Sequence, residues 1–285
     1  MGQIAPAIER QPLSGVGSGA VGIGLRPVHQ EAWKALRPQV DFLEIHPENY
    51  RDTGSLAYRV LEQLRQDYAV SLHGVSLGLG NAQPNPRALS SLCHLVERLE
   101  PVLVSEHLCW TAHEDQHFNH LLPLPFTQET ENRLVRNIQQ VQNRLRRPLL
   151  IKPIAAYLRY REDEMTEIEL IHRLVERTGC RILLDLTNLY VNARNHGENP
   201  LSFLEHLDSS KVEEIHIAGC HQNHFPGGSL WIDSHDSPVP QEVWELFEAM
   251  LAGMGMRPTL LERDTAFPPL ENLVAEISIA RQRMA

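Results

Sequence analysis

The sequence predicts an α/β fold, a (β/α)8 TIM barrel, on three observations. Eight short apolar runs, partly β-branched, alternate with stretches of helical periodicity, the pattern of a parallel sheet with return helices. The first run starts at residue 21 and the last at 258, so the seven intervals average about 34 residues, enough for a strand and a helix each. The chain has 285 residues, and a barrel of this kind needs about 250. An open doubly wound sheet would call for a glycine-rich phosphate loop after the first strand. Gly22-Ile23-Gly24-Leu25-Arg26 lacks the third glycine and runs into Pro27.

Taken in order, residues 1–20 carry Gly, Ser and Pro without apolar periodicity, which predicts a flexible N-terminal leader. Residues 21–285 then form a single domain, with no linker long enough to divide them. The strand runs are 21–25, 40–46, 69–74, 102–107, 148–152, 180–185, 212–217 and 258–263. A helix fits 29–36. At 55–66, Leu56, Val60, Leu61 and Leu64 share one face; at 87–99, Leu89, Leu92, Val96 and Leu99 do. The stretch 127–145 opens on Thr127, has Glu131 shortly after, and then repeats Leu134, Ile138, Val141 and Leu145. In 166–177, Ile168, Ile171 and Val175 turn inward, and Gly179 suits a left-handed C-cap. Shorter helices fit 200–207 and 242–251, and a last one fits 270–281.

Composition narrows the function classes. Acids outnumber bases 36 to 26, for a formal charge of −10, which disfavours a nucleic-acid backbone as partner. No apolar run approaches the roughly 18–20 residues of a membrane span, and no signal pattern opens the chain. Four scattered cysteines form no CxxC pair, so a reducing cytoplasm is the expected location. The 15 histidines are the excess to explain.

In a barrel of this type the active site lies at the C-terminal ends of the strands. The third run ends in Leu72-His73-Gly74, the fourth in Ser105-Glu106-His107, and the sixth in Leu184-Asp185 with Asn188 three residues on. The seventh carries His216, and the eighth ends in Glu262-Arg263-Asp264. The loop between these two adds Asp233-Ser234-His235. Singly, such a histidine is more often structural and such an aspartate a helix cap. Together, His73, His107, Asp185, His216, Asp233, His235 and Glu262 supply seven N and O donors of the kind that bind Fe, Mn or Zn. Carboxylates buried at a barrel mouth need a compensating charge, which a metal supplies. Asp233 and His235, two apart, fall on one face of an extended segment. His29, His94, His172 and His206 fall on helices and read as surface residues; His113, His117 and His120 suit a pocket mouth. His221 and His224 flank Pro226-Gly227-Gly228, where a ligand role is open.

These strand ends resemble a family of multinuclear non-heme iron-dependent oxidative enzymes. The resemblance rests on Asp41-Phe42-Leu43-Glu44, Pro47-Glu48-Asn49-Tyr50, Ser71-Leu72-His73-Gly74 and Ser105-Glu106-His107-Leu108-Cys109-Trp110. It continues through Leu121-Leu122-Pro123-Leu124-Pro125-Phe126, Leu183-Leu184-Asp185-Leu186-Thr187-Asn188 and Asn195-His196-Gly197. Ile215-His216-Ile217-Ala218-Gly219, Ile232-Asp233-Ser234-His235-Asp236 and Leu261-Glu262-Arg263-Asp264 complete it, in order from about residue 21 to the end. The resemblance implies a TIM barrel, one to three iron ions, dioxygen as co-substrate, and oxidation of a ribosomally made precursor peptide, at cysteine or a backbone group. It also implies a partner protein that presents the peptide. The family's metal ligands fall on His73, His107, Asp185, His216, Asp233, His235 and Glu262. Asn188 matches a polar residue of the metal shell, and Asp264 a catalytic proton acceptor.

The sequence departs from that family at two places. Where the family's fifth strand ends in Glu-Asn, with the Glu a metal ligand, this chain reads Leu150-Ile151-Lys152-Pro153. Where the family has Gly-His after the seventh strand, this chain has Gly219-Cys220, then His221. Replacing a carboxylate by an ammonium shifts the local charge by +2, and two like charges at 4 Å repel by about 4 kcal/mol at an effective dielectric of 20. The expectation is an altered or reduced cluster, with Lys152 as counter-charge to Asp185 and Glu262. A non-catalytic relative that binds peptide as a partner is the alternative. A third reading makes Lys152 a Schiff-base nucleophile with a lowered pKa.

Overall fold

A computed structural model describes residues 16–113 and 116–285. Among them the strands are β1 (Val21–Gly24), β2 (Phe42–Ile45), β3 (Ala69–Gly74), β4 (Leu103–His107), β5 (Trp110–His113) and β6 (Gln116–Leu122), followed by β7 (Leu150–Lys152), β8 (Arg181–Asp185), β9 (Val212–Ala218), β10 (His221–Phe225), β11 (Gly228–Ile232) and β12 (Thr259–Glu262). The helices are α1 (Gln30–Leu36), α2 (Leu56–Leu64), α3 (Pro86–Leu99), α4 (Gln128–Leu145) and α5 (Glu167–Thr178), then α6 (Leu186–His196), α7 (Pro200–His206), α8 (Gln241–Met254) and α9 (Leu270–Met284). Eight strands close into a barrel in the order β1-β12-β9-β8-β7-β4-β3-β2, every pair parallel. They are the eight predicted runs. The remaining four form two antiparallel hairpins, β5–β6 and β10–β11, inserted after the fourth and seventh barrel strands.

The helices form where period, caps and breakers agree. Thr127 caps α4 by accepting from Thr130 N, so Glu131 lies one residue beyond the capping-box position. A full capping box closes α5 instead, between Thr166 and Glu169, and Gly179 ends that helix at φ 72°. The inward faces of the helices and the outward strand side chains form one continuous core that includes Leu61, Leu92, Ile138, Ile171, Val191 and Phe247. Each such side chain contributes about 1.5–3 kcal/mol by leaving water.

Two sequence expectations change. Residues 1–15 of the expected leader lie outside the described residues, but the segment from 16 on is not loose. Val16 and Ala20 are buried against Phe42 and Leu260 and plug the N-terminal end of the barrel. The plug explains Gly22, since a Cβ there would sit 2.7 Å from the Phe42 ring. The second change is α6, which has no amphipathic period to find: Leu186 through Ala193 are all buried, including Thr187, Asn188 and Asn192. Those polar groups work as struts. Asn192 accepts from Ala156 N at 2.7 Å and donates to Ile154 O at 3.0 Å, and Asn188 donates to Pro153 O at 3.2 Å. They fix the loop after β7 over the barrel mouth. Asn195 pins β11 in the same way, through both the N–H and the carbonyl of Trp231.

Candidate functional site

The strand ends converge as barrel closure requires. A cavity of about 450 Å³ opens at the C-terminal end, and His107, Asn188, Asp233, His235, Glu262 and Asp264 all line it. Of the expected ligands, His73, Asp185 and His216 do not reach the cavity wall. They are packed below it, each no more than 2% exposed. The His73 ring lies 4.5 Å from that of His107 and 5.1 Å from that of His216, centre to centre. All nine expected site residues therefore belong to one group, in two tiers.

Lys152 ends β7 in the middle of that group. Its Nζ lies 2.9 Å from Asp185 Oδ2, 3.0 Å from Glu262 Oε2 and 3.3 Å from His216 Nδ1, and the residue is 1% exposed. Burial alone would lower its pKa, but Asp185 and Glu262 hold it above the ordinary lysine value. That is opposite to the lowered pKa that the Schiff-base reading needs. In return Lys152 keeps both carboxylates ionised against the burial that would protonate them. Asp185 also serves as the helix cap that its position suggests: Oδ1 accepts from Thr187 N and Asn188 N, both at 2.9 Å.

His216 bridges two carboxylates. Its Nδ1 is 3.1 Å from Glu262 and its Nε2 is 3.1 Å from Glu44, which overcome burial and raise its pKa well above the usual value. His235 is raised too, against burial, by Asp233, Glu262 and Asp264. His73 and His107 go the other way. Burial and the neighbouring cations keep them neutral, His107 at about 3, the form in which imidazole ligates a metal. His73 Nδ1 hydrogen-bonds Ser105 Oγ at 2.7 Å and His107 Nδ1 hydrogen-bonds Gly74 O at 3.0 Å, which leaves each Nε2 turned to the group.

Asp233 and His235 meet, though not by the expected pleat. His235 has φ 49°, a left-handed conformation that a β-branched or bulky side chain rarely adopts, so a turn brings the pair together. Two backbone bonds hold the turn, His235 N to Gly219 O at 2.9 Å and Asp264 N to His235 O at 3.0 Å. Gly219 is required there, because a Cβ would sit 2.0 Å from Ser237 O.

Sequence reasoning missed two cavity neighbours. Arg26 Nε bonds Asp264 Oδ1 at 3.1 Å and Arg263 O at 3.2 Å, while its Nη2 is 3.8 Å from Glu262. His46 Nε2 is 3.8 Å from Asp264. Burial and Glu262 would raise the Asp264 carboxyl, but His235, His46 and Arg26 hold it well below the usual carboxylate range. Arg26 and His46 stand just past β1 and β2, so the strand-end rule applied to every strand finds both. Among the other histidines, His29 corrects the surface reading: it is 4% exposed, with Nε2 2.7 Å from Pro268 O. His94, His172 and His206 are exposed. His120 lines the cavity, whereas His221 turns to Ser234 at 3.0 Å and Asp236 at 3.2 Å.

The donors fit a metal ion. Asp185, His235 and Glu262 offer ligand atoms within 4.8 Å of one another, as do His73, His216 and Glu262, then His46, Glu262 and Asp264, and then Glu44, Glu214 and His216. Several of the atoms are buried without an aligned hydrogen bond among the described residues: Asp185 Oδ2, Asn188 Oδ1, Asp233 Oδ1, His235 Nε2 and His73 Nε2. Asp233 Oδ1 and His235 Nε2 approach to 2.7 Å, the distance of an ion pair between a carboxylate and a protonated imidazole. A second ion bridging Asp185, Glu262 and His216 would have to share the space of the Lys152 ammonium.

Comparison with known proteins follows the same line. The model of the family described as "RiPP precursor modification enzyme MbnB/TglH/ChrH", RiPP denoting ribosomally made and modified peptides, matches residues 20–285. A UPF0276 protein of Vibrio vulnificus (strain CMCP6) is 41% identical over 257 residues, covering 90% of this chain and 88% of that protein. One of Caulobacter vibrioides (strain NA1000 / CB15N) is 40% identical over 277 residues, 96% of each. Among solved structures, a xylose isomerase-like TIM barrel protein from Mycobacterium smegmatis in complex with magnesium superposes with a TM-score of 0.61 at 12% identity, covering 93% of this chain and 96% of that one. A 3-keto-D-glucoside 4-epimerase from E. coli gives 0.59 at 14%, covering 92% and 99%. At such identities these two show the fold alone. On the match along residues 20–285, this chain belongs to the RiPP precursor modification enzyme family MbnB/TglH/ChrH.

Proposed function

We propose that this chain oxidises a ribosomally made precursor peptide at the barrel mouth, at cysteine, with dioxygen and a reduced, iron-containing centre. The observation that carries the reading is that Asp233, His235 and Glu262 line the cavity, with Asp185 packed beneath them and its ligand atom within 4.8 Å of those of His235 and Glu262. Those four residues would hold the iron, which when bound would supply the redox chemistry. Tyr157 and Leu158, 43% and 49% exposed, with Leu121 and Leu122 opposite, offer the peptide an apolar wall. Asp264 keeps an ionised oxygen at the cavity, oriented by Arg26 and His235, and is the candidate proton acceptor. Its depressed pKa makes it a weak base, suited to a proton already made acidic. A partner protein that presents the peptide fits the family. The formal charge of −10 disfavours a nucleic-acid backbone as partner, and among the described residues no helix is long and apolar enough to cross a membrane. Four free cysteines suit the reducing cytoplasm.

Lys152 favours one other reading, a peptide-binding relative without catalysis. One experiment separates them. Protein loaded anaerobically with Fe(II) is mixed with its precursor peptide and air, and the peptide is weighed by mass spectrometry. A dioxygen-dependent mass change, lost in His235→Ala, supports oxidation. A peptide that binds and stays unmodified supports the binding protein.

A further inference from the structure

We infer that the Lys152 ammonium is a built-in replacement for one metal ion, so that this centre carries a fixed organic cation beside a single exchangeable metal position. The inference rests on the proposed metal-dependent reading and says what kind of centre serves it. Its ground is position. Nζ stands 2.9–3.3 Å from two carboxylates and an imidazole contributed by three different strands, β8, β12 and β9. That is the arrangement of a cation in a ligand cage, not of a lysine meeting one acid on a surface. The side chain comes from β7, whose last residue pairs in register with His107 of β4, and it is 1% exposed, so the ammonium leaves its three partners only at the cost of stranding two buried carboxylates.

Charge argues the same way. Asp185, Glu262 and Asp264 are anions within one buried group, and Lys152 and Arg26 are its permanent cations. A carboxylate at position 152 would leave Arg26 as the one permanent cation among four or more acids, and a metal would then be obligatory for folding. With lysine, Asp185 and Glu262 already have a cation between them. The Asp233–His235 side lines the cavity and has buried donor atoms without aligned partners, so it keeps a use for an ion. The replacement trades a redox-active, removable ion for one that cannot be lost to a chelator. The electrons available at the centre are then those of a single metal.

Metal content and thermal melting test this without reference to turnover. Wild-type protein and Lys152→Glu are purified anaerobically, and Fe(II) or Mn(II) per chain is counted by elemental analysis. We expect about one equivalent in the wild type and one more in Lys152→Glu, the added ion being lost again when His216→Gln, at a Lys152 partner outside the four proposed iron ligands, is combined with it. Lys152→Met covers the case in which the glutamate variant does not fold. It removes the charge with a side chain one heavy atom shorter, and its Tm should rise by about 5 °C when Mn(II) reaches roughly 100 times its Kd, with a smaller rise in the wild type at the same Mn(II) concentration, where the ammonium repels the ion. Two or more equivalents in the wild type would overturn the inference and leave the proposed oxidation standing. None in the wild type together with a gain in Lys152→Glu would overturn the proposed metal-dependent reaction while supporting the replacement itself. Equal metal content in folded wild type and both variants would overturn the replacement.

Discussion

The turn that carries Asp233 and His235 depends on one hydrogen atom, that of Gly219 where other residues have a Cβ. In Gly219→Ala the new methyl group would lie 2.0 Å from Ser237 O and 2.5 Å from Ser237 Oγ. Ordinary contact begins at 3.4 Å, so the loop must draw back from β9 by about 1.4 Å. The contact is with backbone and cannot be relieved by a side-chain rotation. His235 is two residues away and takes its backbone bond from Gly219 itself, so the same movement breaks the 2.9 Å contact and displaces both proposed ligands. Overpacking of this kind costs about 1–3 kcal/mol, and for a chain of this size each kcal/mol lowers Tm by about 2 °C. Misplacing a ligand's support costs about 10–100-fold in metal affinity. Anaerobic titration with Mn(II), followed by calorimetry beside a melting curve, measures both. Gly253→Ala, in α8 with nothing within 4 Å of the new Cβ, is the control and should be neutral or slightly stabilising. A Gly219→Ala protein with lowered Tm and unchanged metal affinity would refute the claim that this loop positions the ion.

Other expectations follow from the same contacts. Arg26→Gln removes the buried partner of Asp264 and Glu262. Because Asp264 is about one-third exposed and can be resolvated, the loss should be about 2 kcal/mol in urea melts, below the usual range for a buried pair. Glu131 in α4 ties down Arg173 and Arg177 of α5, and these hold its carboxyl below the ordinary value although burial opposes them. A depressed folded pKa stabilises above the unfolded value near 4.5 and is lost as pH falls through the folded one. Glu131→Ala should therefore cost about 1 kcal/mol in denaturant melts at pH 7, with the gap from wild type closing towards pH 3. Leu121→Ala with Leu158→Ala strips the apolar wall and should weaken precursor-peptide binding about 10-fold by fluorescence anisotropy, with metal content unchanged.

How much of this is legible in the sequence differs element by element. The eight barrel strands are, because each is a short apolar run bounded by a turn and followed by a helix with a clear 3.6 period. The α6 helix is not, since a helix buried all round has no polar face to mark the period. The hairpins β5–β6 and β10–β11 escape for the opposite reason: their side chains are largely exposed and carry little apolar alternation. Within the site, His73, His107, Asp185, His216 and Glu262 are found by one rule, that strand-end side chains converge at the mouth. Arg26 and His46 obey the same rule but lie a residue or two past the strand, among residues whose chemistry looks ordinary alone. The left-handed backbone of His235 has no sequence mark beyond Gly219, with which it shares a hydrogen bond. The place of Lys152 between Asp185 and Glu262 is legible as their counter-charge, and its third contact, with His216, comes from closure of the barrel, which no local stretch of sequence encodes.

The central claim is one iron beside one ammonium. Anomalous diffraction at the iron edge, from crystals grown anaerobically with Fe(II), tests it most directly. The account predicts a single peak among Asp185, Asp233, His235 and Glu262, with Lys152 still in its cage. Two or three peaks, or one peak in the place of the Lys152 ammonium with that side chain displaced, would contradict it.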